Sequence, residues 1–107
     1  MSPRRFEVWW CALDPTVGSE IAKTRPAVIV SPDEFNERVS WFTVAPMTTG
    51  HFPYASRVAT HFDGRDATIT VDQLRCVDRR RLSRRAGQLD GETQANLLRA
   101  LSAFFAL

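Results

Sequence analysis

Between Phe6 and Val77 the apolar residues come in short runs, and a cluster of turn-forming residues closes nearly every one of them. That punctuation leaves no room for a long helix and predicts a succession of short strands. "FEVWWCAL", Phe6 to Leu13, is dense in aromatic and β-branched residues and stops at "DPTVG". "PAVIVS" is too short an apolar run for a helix and opens on a proline, which a strand tolerates at its first residue. It reads as a buried strand, broken by "SPDEFNER". "WFTVAPM" is a third strand, with Pro46 near its end predicting an edge or a bulge. After the loop "TTGHFPY", "ASRVATHF" alternates as a half-exposed strand does and "DGRD" is a turn signal. "ATITVDQLRCV" alternates through Ile69 and Val71 and, after a shift at Asp72-Gln73, through Leu74 and Cys76.

The period changes only near the C-terminus. Asp90 is suited to cap a helix, Glu92 sits in the first turn, and Leu97, Leu98, Leu101, Phe104 and Phe105 predict one apolar face. The expected architecture is mainly β (α+β), a small barrel of short strands closed by a terminal helix. A chain of 107 residues with 44% hydrophobic and 24% charged residues is expected to form one domain, residues 1–107. So small a domain keeps much of its surface exposed, and dimerisation is one remedy.

Net charge is +2, with Arg79, Arg80, Arg81, Arg84 and Arg85 crowded into one stretch that reads as a solvated surface segment. Mild basicity fits an acidic partner such as nucleic acid. Cys11 and Cys76 both fall in expected strands and read as buried thiols of a reducing compartment rather than a disulfide. With His51 and His61 they are too widely spaced for a zinc site, so neither metal nor cofactor is expected. "MSPRRF" has no signal-like apolar segment and no run is long enough to span a membrane, so the cytoplasm is the expected compartment.

Three polar groups interrupt or flank the apolar runs: Ser19 to Arg25 before the second strand, Thr48-Thr49 after the third, and Asp72-Gln73 within the last. Polar groups converging at strand ends are how a site is built on rigid elements. The plain alternative for Arg25 is a loop-capping arginine paired with Glu20. His51 and His61 read as exposed or hydrogen-bonded residues without catalytic duty. Trp9 and Trp10, adjacent on a strand, point to opposite faces and cannot both be core. Phe52 and Tyr54 sit in the loop after Thr49, where core packing and contact with a partner are equally open.

"WWCALDPTVGSEIAKTRPAVIVSPDEFN", "TVAPMTT" with "PYASRV", and "TITVDQLRCVDRRRL" with the closing helix resemble the MazF/PemK family of toxin endoribonucleases. The likeness runs through nearly the whole chain, in order. It implies an SH3-like β-barrel with an added C-terminal helix, a homodimer, and metal-independent, sequence-selective cleavage of single-stranded RNA. It also implies a cognate antitoxin as partner. By resemblance Arg25 and Thr48 are the catalytic pair, and Ser19, Glu20, Lys23, Thr24, Thr49, Asp72 and Gln73 line or border the RNA site. The family usually has glycine where Phe6 stands, a departure that bears on how the chain enters the first strand.

The residue types suit that chemistry. A ribose 2′-OH attacking the adjacent phosphate gathers negative charge on the nonbridging oxygens, which a permanently charged, forked guanidinium stabilises. A threonine hydroxyl can help orient the phosphate for in-line attack. Arginine's pKa is too high for a general base, so Glu20, Asp72 or water must take the proton. Two readings from other classes remain on the same fold: a non-enzymatic toxin resembling CcdB that inhibits gyrase by binding it, and a module that binds RNA without cutting it.

Overall fold

The computed structural model describes residues 2–50 and 56–106; His51, Phe52 and Tyr54 lie outside them. In chain order the elements are β1 (Glu7–Ala12), β2 (Thr24–Ile29), α1 (Asp33–Asn36), β3 (Trp41–Thr49), β4 (Arg57–Phe62), β5 (Arg65–Thr70), β6 (Arg75–Asp78), β7 (Leu82–Gln88) and α2 (Gly91–Phe105). Short 3-10 turns at Val71–Gln73 and Arg79–Arg81 flank β6. The fold is mainly β with a C-terminal helix, as the sequence predicts. No helix among the described residues is long and apolar enough to cross a membrane.

The seven strands pair antiparallel in the order β4-β5-β3-β2-β1-β7, with β6 also on β3. The sheet curls as the expected barrel class does but is not closed among the described residues. Among the described residues no ladder joins β4 to β7, and a cavity of about 300 Å³ lies between Thr60 and His61 on one edge and Ala86 and Gly87 on the other. Two register shifts in the β1–β7 ladder, either side of Trp9, bend that edge of the sheet.

Curling gives the sheet two buried faces, and β2 shows why its apolar run is continuous rather than alternating. Ala27 and Ile29 pack with Cys11, Leu13, Phe42 and Val44. Val28 and Val30 pack on the other side with Val8, Met47, Ile69 and Leu97 of α2. A strand covered on both faces needs apolar residues at every position. It begins earlier than the apolar run, at Thr24, so Pro26 sits inside it, opposite Trp10.

Pro46 lies within the central strand rather than on an edge. On one side β3 pairs β6 from Trp41 to Val44 and β5 from Met47 to Thr49, and Pro46 falls between the two segments. A residue with no N–H fits where the partner strand changes. Its carbonyl accepts the Thr70 hydroxyl at 2.7 Å. The "DG" turn closes the β4–β5 hairpin with Asp63 and Gly64 both at positive φ, 53° and 76°, as a two-residue type I′ loop requires.

Four expectations are corrected. The arginine-rich stretch is not merely solvated surface: Leu82–Gln88 is strand β7 on β1, and Arg81 and Arg85 bond to named partners described below. "SPDEFNER" contains the short helix α1, whose Asn36 is buried and bonds the Ser31 and Pro3 carbonyls. Cys11 is buried but Cys76 is exposed, because β6 turns that side of the strand to solvent. In α2, capped by Asp90 accepting the Thr93 N–H at 2.8 Å, the buried stripe is Thr93, Leu97 and Ala100. Leu98, Phe104 and Phe105 are exposed, since the sheet extends under only one side of the helix.

Phe6 has φ +73°, a left-handed backbone that favours glycine. The position is held by its N–H on the Ile29 carbonyl at 2.8 Å and by its own carbonyl, which accepts from Leu89 N–H at 3.0 Å. Its ring packs on the inner core and under the Arg5 guanidinium. The ring's burial offsets a backbone cost of about 1–2 kcal/mol.

Candidate active site

Arg25 leaves β2 on the face that carries Ala27 and Ile29. The β2–β3 ladder pairs Val28 with Ala45 and Ala27 with Pro46. The ladder ends there: Arg25 lies two residues before Ala27, and Thr48 two residues after Pro46, where β3 has turned to pair with β5. The two residues expected to act together line one cavity, though 23 positions of chain separate them.

Both residues are half-buried and line a cavity of about 400 Å³ between the β1–β2 strands and the β4–β5 hairpin. Lys23, Thr24 and Thr49 line it too. Ser19, Glu20, Asp72 and Gln73 line a second depression of about 300 Å³. Pro46 borders it as well and shares the sheet face of Arg25 and Thr48. The nine expected site residues thus fall in two groups, with Arg25 and Thr48 in the first.

Arg25 donates its Nε–H to the Ala22 carbonyl at 3.3 Å. Its terminal nitrogens have no hydrogen-bond or ion-pair partner among the described residues, and neither has the Thr48 hydroxyl. Of the plain alternative for Arg25 the loop-capping half is seen, at the Ala22 carbonyl, whereas the pairing with Glu20 is not: that carboxylate accepts the Val17 N–H at 2.6 Å. A guanidinium steadied at one nitrogen and open at the others is arranged for an anion that is not part of the chain.

The loop before Arg25 is anchored at both ends. Arg81 donates to the Ala12 and Asp14 carbonyls at 3.0 and 2.6 Å, and Arg75 to the Leu13 carbonyl at 2.9 Å. At the far end Gln73 Oε1 accepts the Ile21 N–H at 2.8 Å, and the Lys23 carbonyl accepts from Leu13 N–H at 2.9 Å. The tip, Val17 to Glu20, is exposed and turns at Gly18, φ +61°. The sequence singled out Gln73 but none of these arginines, because nothing local distinguishes an arginine that reaches a backbone carbonyl more than 60 residues away.

Asp72 is not open to solvent chemistry in the way the sequence allowed. Both its oxygens are taken by Arg57, Oδ1 by Nε at 2.7 Å and Oδ2 by Nη2 at 2.9 Å, and Oδ1 also accepts from the Ser56 hydroxyl. The Arg57 hydrogen bonds, outweighing the effect of burial, hold its carboxyl below the ordinary aspartate value. Asp72 therefore fastens the turn that carries Gln73. Glu20 keeps one oxygen without a partner among the described residues.

His61 is exposed and pairs through Nδ1 with Asp66 at 3.1 Å, on the hairpin beside the first cavity. Trp9 and Trp10 are both half-buried. Trp9 packs on the outer core and donates Nε1–H to Glu7, whereas Trp10 lines the first cavity. Among the described residues no cluster of His, Cys, Asp or Glu is composed to hold a metal ion.

Comparison with known proteins agrees with the geometry. The family model for PemK-like, MazF-like toxins of type II toxin–antitoxin systems matches residues 4–105. Endoribonuclease PemK of Escherichia coli is 37% identical over 79 residues, covering 69% of this chain and 59% of PemK. The chain thus spans less than two thirds of that relative. Endoribonuclease MazF9 of Mycobacterium tuberculosis is 32% identical over 108 residues, 92% of each chain. Endoribonuclease EndoA of Bacillus subtilis is 30% identical over 115 aligned positions, covering all of this chain and 97% of EndoA. In fold, MazF from Deinococcus radiodurans superposes with a TM-score of 0.86 at 21% identity, over 100% of this chain and 99% of that one. The chain belongs to the family of PemK-like, MazF-like toxins of type II toxin–antitoxin systems.

Proposed function

We propose that this protein is an endoribonuclease, the toxin of a toxin–antitoxin pair, cutting single-stranded RNA at selected sequences without a metal ion. It works in the cytoplasm as one domain, residues 1–107, in a homodimer. The observation that carries the reading is Arg25, a half-buried guanidinium with its terminal nitrogens unengaged by the described residues, lining one cavity with Thr48. Relatives named as endoribonucleases support it, as does a structural neighbour described as an endoribonuclease with its cognate antitoxin.

In this reading the scissile phosphate sits over Arg25 and Thr48. The guanidinium donates to the nonbridging oxygens as their charge grows, and the Thr48 hydroxyl fixes the phosphate's rotation. The ribose 2′-oxygen bonds to phosphorus, and its proton passes to a carboxylate. Asp72, held ionised by Arg57, is a poor acceptor, so Glu20 takes that role, beside Pro46 and Gln73 in the second depression. The P–O5′ bond breaks, the 5′-oxygen takes a proton from water, and a 2′,3′-cyclic phosphate and a 5′-OH end are left. Ser19, Lys23, Thr24, Thr49 and Gln73 contact the flanking nucleotides.

The test is incubation of purified protein with long single-stranded RNA in excess chelator, beside matching DNA and an Arg25→Ala variant. Discrete fragments with 5′-OH ends are expected from RNA alone, with the variant slowed by at least about 100-fold. Intact RNA in the presence of folded wild-type protein would overturn the proposal and turn attention to a protein target such as gyrase. Binding without cutting would leave the RNA-binding module.

A further inference from the structure

The first cavity holds more than Arg25 and Thr48 require. Its wall includes Trp10 and Phe62, whose rings meet edge to face with centroids 5.7 Å apart. Arg84 lies over the Trp10 ring at 5.5 Å but is not among the residues lining the cavity, so it braces the indole from outside. At the hairpin tip Asp63 also lines the cavity, and its carboxylate has no partner among the described residues. Two aromatic rings set nearly perpendicular, an open guanidinium at the rim and an unengaged acceptor opposite do not describe a packed core. They match the parts of one nucleotide: base, phosphate and base edge.

We infer that this cavity is a base-binding subsite, in which the Trp10 indole stacks the nucleobase next to the scissile phosphate, Phe62 bounds it at right angles and Asp63 selects its identity. The inference deepens the RNA-cleavage reading and rests on it. Stacking on aromatic side chains tolerates any base, so selection must come from the edge. A carboxylate only accepts hydrogen bonds. It favours bases with an exocyclic amine (cytosine, adenine or guanine) and disfavours uracil, whose single N3–H donor lies between two carbonyl oxygens that repel the carboxylate. Protein side chains are the competing occupant of an aromatic pocket. The free carboxylate, with Lys23 and Arg25 on the opposite lip, favours a ligand carrying both phosphate and amine groups.

The experiment uses full-length protein and randomised single-stranded RNA, with cleavage sites read by sequencing. A second arm measures binding of an uncleavable RNA carrying a 2′-deoxy sugar at the cut. Trp10→Ala is expected to lower kcat/KM by about 10- to 100-fold and to weaken the second arm similarly, with Trp10→Phe recovering most of both. Asp63→Asn, which keeps a residue at home in left-handed backbone, is expected to admit uracil at one position beside the cut. Folded Trp10→Ala and Asp63→Asn proteins with wild-type rates and wild-type sequence preference would overturn the inference. So would a loss of affinity for an antitoxin segment with RNA binding unchanged, since the cavity would then be a protein site. Wild-type protein that cuts nothing would refute the enzymatic reading, and the binding arm would still decide the subsite: RNA affinity weakened by Trp10→Ala supports it, and unchanged affinity overturns it.

Discussion

The carboxylate of Asp72 offers a direct way to separate a structural from a chemical role. Its two oxygens meet Nε and Nη2 of Arg57 at 2.7 and 2.9 Å, and the side chains are 30% and 14% exposed respectively. Hydrogen bonds to charged groups contribute about 1.5–3 kcal/mol net when sheltered, and exposed ion pairs about 0–1 kcal/mol. At this intermediate exposure Asp72→Asn, which keeps one acceptor and turns an amide NH₂ toward the guanidinium, should cost about 1–2 kcal/mol. For a domain of this size that lowers Tm by roughly 5–10 °C. Arg57→Ala should cost a comparable amount, and the double variant should show a coupling of about 1 kcal/mol, because both single changes break one contact. Turnover on RNA should fall by no more than about 10-fold, through loosening of the turn that holds Gln73 against Ile21, with the acidic limb of the pH–rate profile left in place. The reasoning fails if Asp72→Asn is as stable as wild type, shows no coupling to Arg57, and abolishes both turnover and the acidic limb. Asp72 would then be the proton acceptor, whose loss is expected to cost about 10²–10⁴-fold.

Two further outcomes concern stability. Burial raises the carboxyl pKa of Glu7, but hydrogen bonds from Arg4 N–H, Trp9 Nε1–H and Arg85 Nε–H at 2.7, 3.0 and 2.9 Å outweigh it and hold the group below its ordinary value. A depressed folded pKa contributes stability that is complete above the unfolded value, about 4.3, and is lost as pH falls through the folded one. Glu7→Gln should therefore lower stability at pH 7 by about 1–2 kcal/mol and flatten the loss between pH ~5 and ~2, as followed by urea melts across that range. At Phe6, comparison of two truncations isolates the backbone: Phe6→Gly should be more stable than Phe6→Ala by about 1 kcal/mol, since only alanine keeps a Cβ in left-handed backbone. Equal urea midpoints for the two variants would show that φ +73° carries no strain.

Local pattern by itself determined the strands other than β7, the hairpin turn and the capped helix of this protein. A two-residue period at Arg57–Thr60, a "DG" pair between alternating runs and an Asp before an amphipathic stretch each encode a conformation within a few residues. It also put Arg25 and Thr48 at strand ends, where a rigid backbone meets solvent. What it could not determine was pairing. Strand β7 has arginines where β propensity wants branched or aromatic residues, and only its ladder with β1 makes it a strand. Whether Asp72 was a base or half of a clamp depended on Arg57, 15 residues away in sequence. The exposure of Cys76, Phe104 and Phe105 depended on where the sheet stops. Tertiary structure decided these because register and burial arise from contacts between distant segments, and no window of sequence holds both partners. The consequence most relevant to the proposed function is that Arg25 and Thr48, legible separately in the sequence, line one cavity only once β2 and β3 are packed in one sheet.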